Sequence, residues 1–467
     1  MERPIRVGLV SLGCAKNLVD SEAMLGALQQ AGLQVTSDPA QADVLVVNTC
    51  GFIEPAKKES IDTILEMARY KEAGTCRKLV VAGCLAQRYH RELAEALPEV
   101  DVWLGIDDVE RVVEACLDDR YRGDRVSSER PRWVYDLQVP RLRTTPRHYA
   151  YLKIAEGCNH TCSFCAIPRI RGKYRSRSLD SIVEEARRLV EQGVRELILI
   201  SQDTTYYGLD IGLKDGLLRL LEALHGPADL RWIRLLYLYP DTLPPDFPER
   251  FRDFPKLCRY LDLPLQHSHP DILRAMKRRG SRERYLELLA RYRAAVPDIV
   301  LRTTFIVGFP GETEAHFEDL CRFVEEARFD HVGVFEYSDE DGTAAYDLRP
   351  KVPRRVAARR RRTLMALQQK VLAEKVRAWV GRRVEVVIDR FVRQEAGRWL
   401  YRGRHYGQAP EVDGHVEVIA RRPLIVGRWY PVHIRAGRLY DYRADLEEET
   451  VSWPPDVAGS VSAASAG

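Results

Sequence analysis

The chain reads as an α/β protein of three folded units: a Rossmann-like parallel sheet, an incomplete (β/α)6 barrel and a small antiparallel β-barrel. Three observations predict this. Short apolar runs alternate with amphipathic helical stretches in two successive series, a charged, proline-containing stretch separates the series, and past Gly381 short β-rich pieces broken by Gly and Pro replace the helices. Several domains are expected at 467 residues, because one hydrophobic core rarely organises so long a chain.

The first unit is expected over residues 4–120, with strands at Ile5–Leu12, Asp43–Asn48, Lys78–Ala82 and Asp101–Gly105. Helical patterns at Ser21–Ala31 and Ala56–Tyr70 lie between them, which makes the sheet parallel. A linker runs from Asp118 to Arg147. The second unit, residues 144–373, has strand candidates at Tyr149–Ala155, Glu196–Ser201, Trp232–Tyr239, Tyr260–Leu265, Val300–Val307 and His331–Tyr337. Ser181–Gln192 and Ser281–Ala295 are among its helices. A basic helix, Arg354–Trp379, carries Arg359-Arg360-Arg361-Arg362, which reads as a solvated face or an RNA contact. The third unit, residues 376–447, has strands at Val384–Ile388, Trp399–Arg402, His415–Ile419 and Trp429–Ile434. The tail, residues 448–467, has a disordered composition.

Lys and Arg number 72 against 68 Asp and Glu, so global charge does not point to a nucleic-acid partner. No apolar run approaches the roughly 18 residues of a membrane span, and the chain enters its first strand without a signal-peptide pattern. A soluble cytoplasmic enzyme is expected. Ten cysteines in such a compartment stay reduced, which directs attention to metal or catalytic use.

Three of them form Cys158-x3-Cys162-x2-Cys165, directly after the first strand of the second unit and behind Gly157. Three thiolates suit a 4Fe-4S cluster and leave one iron open to a small molecule. Zinc is the competing reading, with His160 as a fourth ligand, although zinc sites usually join two separated ligand pairs. Three more, Cys14, Cys50 and Cys84, each follow a strand of the first unit. The carboxyl ends of parallel strands share one edge of a sheet, so these thiols converge. Glycine neighbours each of them, and Asn17, Asn48 and Gln87 stand nearby as donors to sulfur or as ordinary loop amides. Cys76, Cys116, Cys258 and Cys321 lack such placement and read as buried or partly buried thiols.

The central loop resembles that of the radical S-adenosylmethionine enzymes. The resemblance implies that Cys158, Cys162 and Cys165 hold the cluster that makes a 5'-deoxyadenosyl radical. It also implies that Phe164 packs near the adenine, and that Gly308 and Gly311, in Thr304-Phe305-Ile306-Val307-Gly308-Phe309-Pro310-Gly311-Glu312-Thr313, lie near the nucleoside. From about Ile5 to Asp445 the chain is similar to the methylthiotransferase branch, with 35 residues between Cys14 and Cys50 and 33 between Cys50 and Cys84. That similarity implies a second 4Fe-4S cluster on Cys14, Cys50 and Cys84, two roles for S-adenosylmethionine, as methyl donor and radical source, and a C-terminal TRAM domain for substrate recognition.

The family has two main substrates: an adenosine beside the tRNA anticodon and the β-carbon of an aspartate in small-subunit ribosomal protein twelve. Flanking residues resemble the ribosomal-protein branch. They are Ser11–Glu22, where Ala15-Lys16-Asn17 replaces the Gln-Met-Asn usual in the tRNA branch, Arg171–Arg177, and Ala409-Pro410-Glu411-Val412-Asp413-Gly414. Ala166 departs from the larger aliphatic expected there. The C-terminal unit has 13 Arg against 9 acidic residues, with Trp399, Tyr401, Tyr406, Trp429 and Tyr430 interleaved, so RNA contact is a further expectation. A protein reductant is implied as electron donor. The reading from another class is a non-catalytic iron-sulfur or zinc scaffold that binds RNA.

Overall fold

Runs such as Val44-Leu45-Val46-Val47 and Leu79-Val80-Val81-Ala82 are apolar at every position, as strands buried on both faces must be. In the computed structural model, which describes residues 3–447, they form the centre of a six-stranded sheet. Its strands are β1 (Arg6–Ser11), β2 (Gln34–Thr36), β3 (Val44–Thr49), β4 (Lys78–Gly83), β5 (Val102–Trp103) and β6 (Gly123–Asp124), in the order β2-β1-β3-β4-β5-β6 and parallel throughout. Val44 and Val46 face Val19, Ala23 and Leu28 of helix α1 (Ala15–Gln30). Leu45 and Val47 face α2 (Glu54–Ala73) and α3 (Cys84–Ala96) on the other side.

Helix α1 begins six residues before the expected Ser21. Its first turns bury Lys16, Asn17, Asp20, Ser21 and Glu22, and these polar residues hide the helical period. The edge strands β2 and β6, of three and two residues, are too short to show a period.

The second unit has six parallel strands in chain order: β7 (Tyr149–Lys153), β10 (Glu196–Ile200), β11 (Trp232–Leu235), β12 (Tyr260–Asp262), β13 (Val300–Val307) and β14 (His331–Glu336). They lie in two groups, β7-β10-β11 and β12-β13-β14, bridged by Ile233 and Leu257. The short β8 (Ala155–Glu156) and β9 (Arg175–Ser176) pair antiparallel and enclose the central cysteine loop. Leu152, Leu197 and Leu199 pack outward under the helices, while Tyr149, Tyr151 and Ile198 face inward. Two strands are shorter than expected: β11 stops at Leu235, ahead of Tyr237 (φ +60°), which turns the chain into the left-handed region, and β12 stops at Asp262.

Helix Arg354–Trp379 leads to β15 (Arg383–Glu395), β16 (Arg398–Arg404), β17 (Val416–Ala420), β18 (Trp429–Arg438) and β19 (Asp441–Leu446), a closed barrel in the order β15-β16-β17-β19-β18. The expectation of a wholly antiparallel barrel is corrected here. β17 and β19 run parallel, Val416 opposite Tyr442, since a closed ring with an odd number of strands cannot alternate direction at every pairing. β19 itself was missed, and it supplies the fifth member.

This barrel covers one end of the second unit, where the first residue of each of the six strands meets it. Tyr149 donates to Glu411 (3.0 Å), Glu196 stands 2.9 Å from Arg404, and Trp232 meets Trp429 edge-on at 5.1 Å between ring centres. Tyr260 donates to Asp413 (2.7 Å), Val300 lies against Gly407, and His331 contacts the Gly407 carbonyl at 3.0 Å. The opposite, carboxyl end stays free for chemistry. Among the described residues no helix is long and apolar enough to cross a membrane.

Candidate metal centres

Strands β1, β3 and β4 lie side by side with Ser11 opposite Asn48 and Asn48 opposite Ala82, so their following loops leave one edge together. Cys14 caps α1, Cys50 follows β3 and Cys84 opens α3. Glycine lets these loops touch. A Cβ on Gly13 (φ +90°) would stand 2.8 Å from Cys50 Cβ and 3.1 Å from its Sγ, and one on Gly51 would stand 2.7 Å from Leu85 Cα. Cys50 and Cys84 feel each other and Cys14 electrostatically.

The nearby amides do not serve as donors to sulfur. Asn17 Nδ2 donates to the carbonyls of Leu12 (2.8 Å) and Thr49 (2.9 Å), Asn48 Nδ2 to Asn17 O and Ser21 Oγ, and Gln87 Nε2 to Ser128 O. They tie the loops together. The cation that faces all three thiols electrostatically is Arg171, fully buried. Desolvation alone would raise the Cys14 thiol, but Lys16, Arg171 and the N–H groups of Asn17 and Lys16 outweigh it and lower it. Burial, then Cys84, pushes Cys50 up to about 12, and burial also raises Cys84.

The central loop is held at its base by Cys158 N–H on Gly172 O (3.1 Å), and Gly157 (φ +76°) leaves no room for a Cβ beneath Lys173 O. Ser163 anchors the middle through its N–H on Met276 O and its hydroxyl on Ala275 O. Burial raises Cys158 to about 12 and raises Cys165 as well, the second with Cys162 as the next cause. Arg278 Nη1 lies 3.8 Å from Cys162 Sγ. His160 contacts Asp203 at 2.6 Å and stacks on Tyr239 with ring centres 3.8 Å apart.

That engagement tests the zinc reading. Zinc–thiolate bonds of about 2.3 Å hold sulfurs roughly 3.8 Å apart, whereas a cubane bonded through three separate irons spreads them further. Among the described residues, the set of three such ligand atoms within 4.8 Å of one another is His269, Asp271 and His316. His160, engaged by Asp203 and Tyr239, is not placed as a fourth zinc ligand, and the thiols of each triad lie beside a buried arginine, a setting that suits thiolate ligands.

Of the other expected site residues, Phe164 is half-buried and packs in a cluster with Ile272, Met276 and Phe309. Gly308 (φ +77°) and Gly311 (φ +82°) shape the turn after β13; Glu312 accepts the N–H groups of Gly308 and Phe309, and a Cβ on Gly308 would stand 2.5 Å from Ala357. Gly311 faces open space. Cys76, Cys116 and Cys258 are buried and Cys321 is half-buried.

The two triads adjoin. Cys84 packs with Ala166 and Ile170, so the small residue after Cys165 is where the second loop meets the first triad. Beside them lies a buried charge network: Arg171 donates to Glu156 (2.8 Å), Asp20 (3.0 Å) and Asn17 (2.8 Å), and Lys153 to Asp20 (2.6 Å). A second link is Tyr237-Leu238-Tyr239. The Lys16 amine lies 3.2 Å from the centre of the Tyr237 ring, and the Arg278 guanidinium 4.3 Å from that of Tyr239. Sequence reasoning missed Arg171, Arg278, Tyr237 and Tyr239 as site residues.

Of the aromatic residues expected to meet RNA, Tyr401 is core, Trp429 packs on Trp232 and Tyr406 on Trp379. Of the four consecutive arginines, Arg360 is buried beside Glu312 and Glu314, while Arg359, Arg361 and Arg362 are exposed.

Comparison with known proteins follows the same three units. Residues 6–105 match the uncharacterized protein family UPF0004, residues 152–324 the Radical SAM superfamily and residues 380–446 the TRAM domain. A ribosomal protein uS12 methylthiotransferase RimO from Desulforamulus reducens is 47% identical over 445 residues, covering 95% of this chain and 99% of the relative. One from Symbiobacterium thermophilum is 49% identical over 451 residues, covering 96% and 92%. Among solved structures, the radical S-adenosylmethionine methyltransferase TsrM from Kitasatospora setae shares the fold at a TM-score of 0.52 and 17% identity, covering 71% of this chain and 73% of that one.

Proposed function

The chain belongs to the ribosomal protein uS12 methylthiotransferase RimO family, and we propose that it adds a methylthio group to the β-carbon of an aspartate in uS12. The observation that carries this is the adjacency of two cysteine triads at one end of the fold, joined through Ala166 and Cys84. Transfer of a group to an unactivated carbon requires the radical source and the sulfur source to reach the same atom.

Cys158, Cys162 and Cys165 would hold one 4Fe-4S cluster, and Cys14, Cys50 and Cys84 a second. When bound, the clusters and S-adenosylmethionine supply the radical, the sulfur and the methyl group. The chain's own residues position and insulate. Arg278 and Arg171 set positive charge beside thiolates in a low-dielectric interior, and Phe164 with the Gly308–Gly311 turn forms the wall for the nucleoside. Glu156, Asp20 and Lys153 hold Arg171 in place.

The domains are read as residues 4–120, 144–373, a partial (β/α)6 radical-SAM barrel, and 376–447. The C-terminal barrel sits at the far end from the triads, so its contacts with substrate, or with ribosomal RNA together with Arg359, Arg361 and Arg362, lie away from the reacting carbon. A reductant protein supplies electrons, and the reaction belongs to the cytoplasm, where the ribosomal protein is.

Anaerobic reconstitution with S-adenosylmethionine, a reductant and uS12 tests the proposal. About eight irons per chain and a gain of one methylthio group on uS12 are expected. Stoichiometric zinc without iron defeats the cluster assignment, and methylthiolation of tRNA in place of uS12 defeats the substrate.

A further inference from the structure

Most buried cations among the described residues have carboxylate partners. Arg141 has Glu22 and Glu185, Lys153 has Asp20 and Glu156, Arg177 has Glu185, Arg234 has Glu196, Arg404 has Glu196 and Asp389, and Arg171 has Glu156 and Asp20. A charge taken out of water needs such a partner.

Lys16 departs from the pattern. It is 7% exposed, yet among the described residues no carboxylate forms an ion pair with it. Its amine rests on the face of Tyr237, with Tyr237 and the Cys14 thiol as its polar neighbours and no carboxylate among them. The ring beneath is held deliberately: Tyr237 takes a left-handed backbone (φ +60°), fixed by its N–H on Asp262 (2.9 Å) and by Thr204 N–H on its carbonyl (3.0 Å).

Its place in the fold says what anion it awaits. Lys16 is two residues from Cys14, and Tyr237 is two residues from Tyr239, which carries Arg278 and His160 of the other triad. The amine thus neighbours Cys14 of the first triad and rests on the segment whose Tyr239 stacks on His160 beside the second. Of the three cations there, Arg171 is saturated by two carboxylates and an amide, and Arg278 is bound to Pro264 O (2.8 Å) and faces Cys162. Lys16 has neither a carboxylate nor a carbonyl acceptor among the described residues, and Arg278 keeps only its Nε without one. An aspartate placed for reaction at its β-carbon brings a carboxylate one bond from that carbon, into the same space.

We propose that Lys16, braced on Tyr237, binds the carboxylate of the target aspartate and so selects aspartate over its neutral isostere. This rests on the uS12 reading above. The contact orients the β-carbon between the triads, and it is absent for any substrate without a carboxylate at the reacting carbon.

The test is binding of uS12, with aspartate or with asparagine at the modified position, to the reconstituted full-length protein. Wild type is expected to favour aspartate about tenfold or more, the scale of one charge-assisted contact. Lys16→Met and Lys16→Gln are expected to bind both forms alike, with iron content and the cluster absorption spectrum unchanged, and Lys16→Arg to restore the preference in part. If the wild type prefers aspartate and both variants keep that preference, the role of Lys16 is overturned while the uS12 reading stands. If the wild type shows no preference, the proposal is overturned, while the uS12 reading, which rests on the methylthio product, stands. Loss of about half the iron in both variants assigns Lys16 to holding metal, which also overturns the proposal.

Discussion

Arg404 of β16 stands 2.9 Å from Glu196, the first residue of β10, and through this fully buried pair the C-terminal barrel is fastened to the second unit. Arg234 donates to the other oxygen of Glu196 at 2.8 Å. Burial would raise this carboxyl, but Arg404 and Arg234 outweigh it and hold it below its ordinary 4.5. Glu196→Gln is expected to destabilise the protein by about 3 kcal/mol, because it leaves buried guanidinium charge unmatched. Denaturant unfolding at neutral pH checks this.

The same pair sets a pH dependence. A carboxyl lowered by folding contributes stability that is complete above its unfolded value, here 4.5, and is lost as pH falls through the lower folded value. Unfolding midpoints measured from pH 6 downward should therefore fall more steeply below about 4.5 in wild type than in Glu196→Gln. Parallel curves would exclude this linkage.

Gly13→Ala should empty the first triad. The new Cβ meets Cys50 at 2.8 Å and the residue must keep φ +90°, so the loops separate. Iron is expected to fall from about eight to about four per chain. Gly32→Ala shares the positive φ (+84°) with nothing within 4 Å, and it is the control expected to retain full iron.

Arg171→Met removes a partner from both Glu156 and Asp20 and leaves Lys153 as the cation facing them. A loss of about 3 kcal/mol is expected, together with depletion of iron from the first triad. Thermal unfolding and iron analysis on one preparation check both effects. An unchanged iron content would mean that the arginine serves the domain junction alone.

Replacing Cys14, Cys50 and Cys84 together by Ala is expected to leave 5'-deoxyadenosine production intact and abolish methylthio transfer. The same change at Cys158, Cys162 and Cys165 should abolish both. Product analysis by mass spectrometry separates the two outcomes.

How much of this was legible beforehand depends on the range of the interactions. Val300–Val307 and Arg354–Trp379 were readable to the residue, since a long regular element repeats its burial period several times. Trp232–Tyr239 misled because its apolar and aromatic run continues past Leu235, while the backbone turns at Tyr237 to set that ring beneath Lys16. β19 was invisible, with Arg443 and Asp445 diluting six residues that only barrel closure makes a strand. The six cysteines were singled out by spacing and by their positions after strands. Arg171 and Arg278 did not, because their meaning lies in partners up to 154 residues away. Ala409–Gly414, read for its family flavour, proved to carry Glu411 and Asp413 into the base of the second unit.

The six strand starts covered by the C-terminal barrel also constrain the order of synthesis. Tyr149 waits for Glu411, 262 residues later, and Tyr260 for Asp413, 153 residues later. A nascent chain that has completed its cysteine loops still has an open, unsealed interior until the last strands leave the ribosome. Contacts of such long sequence separation form slowly and expose apolar surface meanwhile. Chains cut before residue 380 are therefore expected to be less soluble than the full-length protein, which fractionation of the two after expression checks.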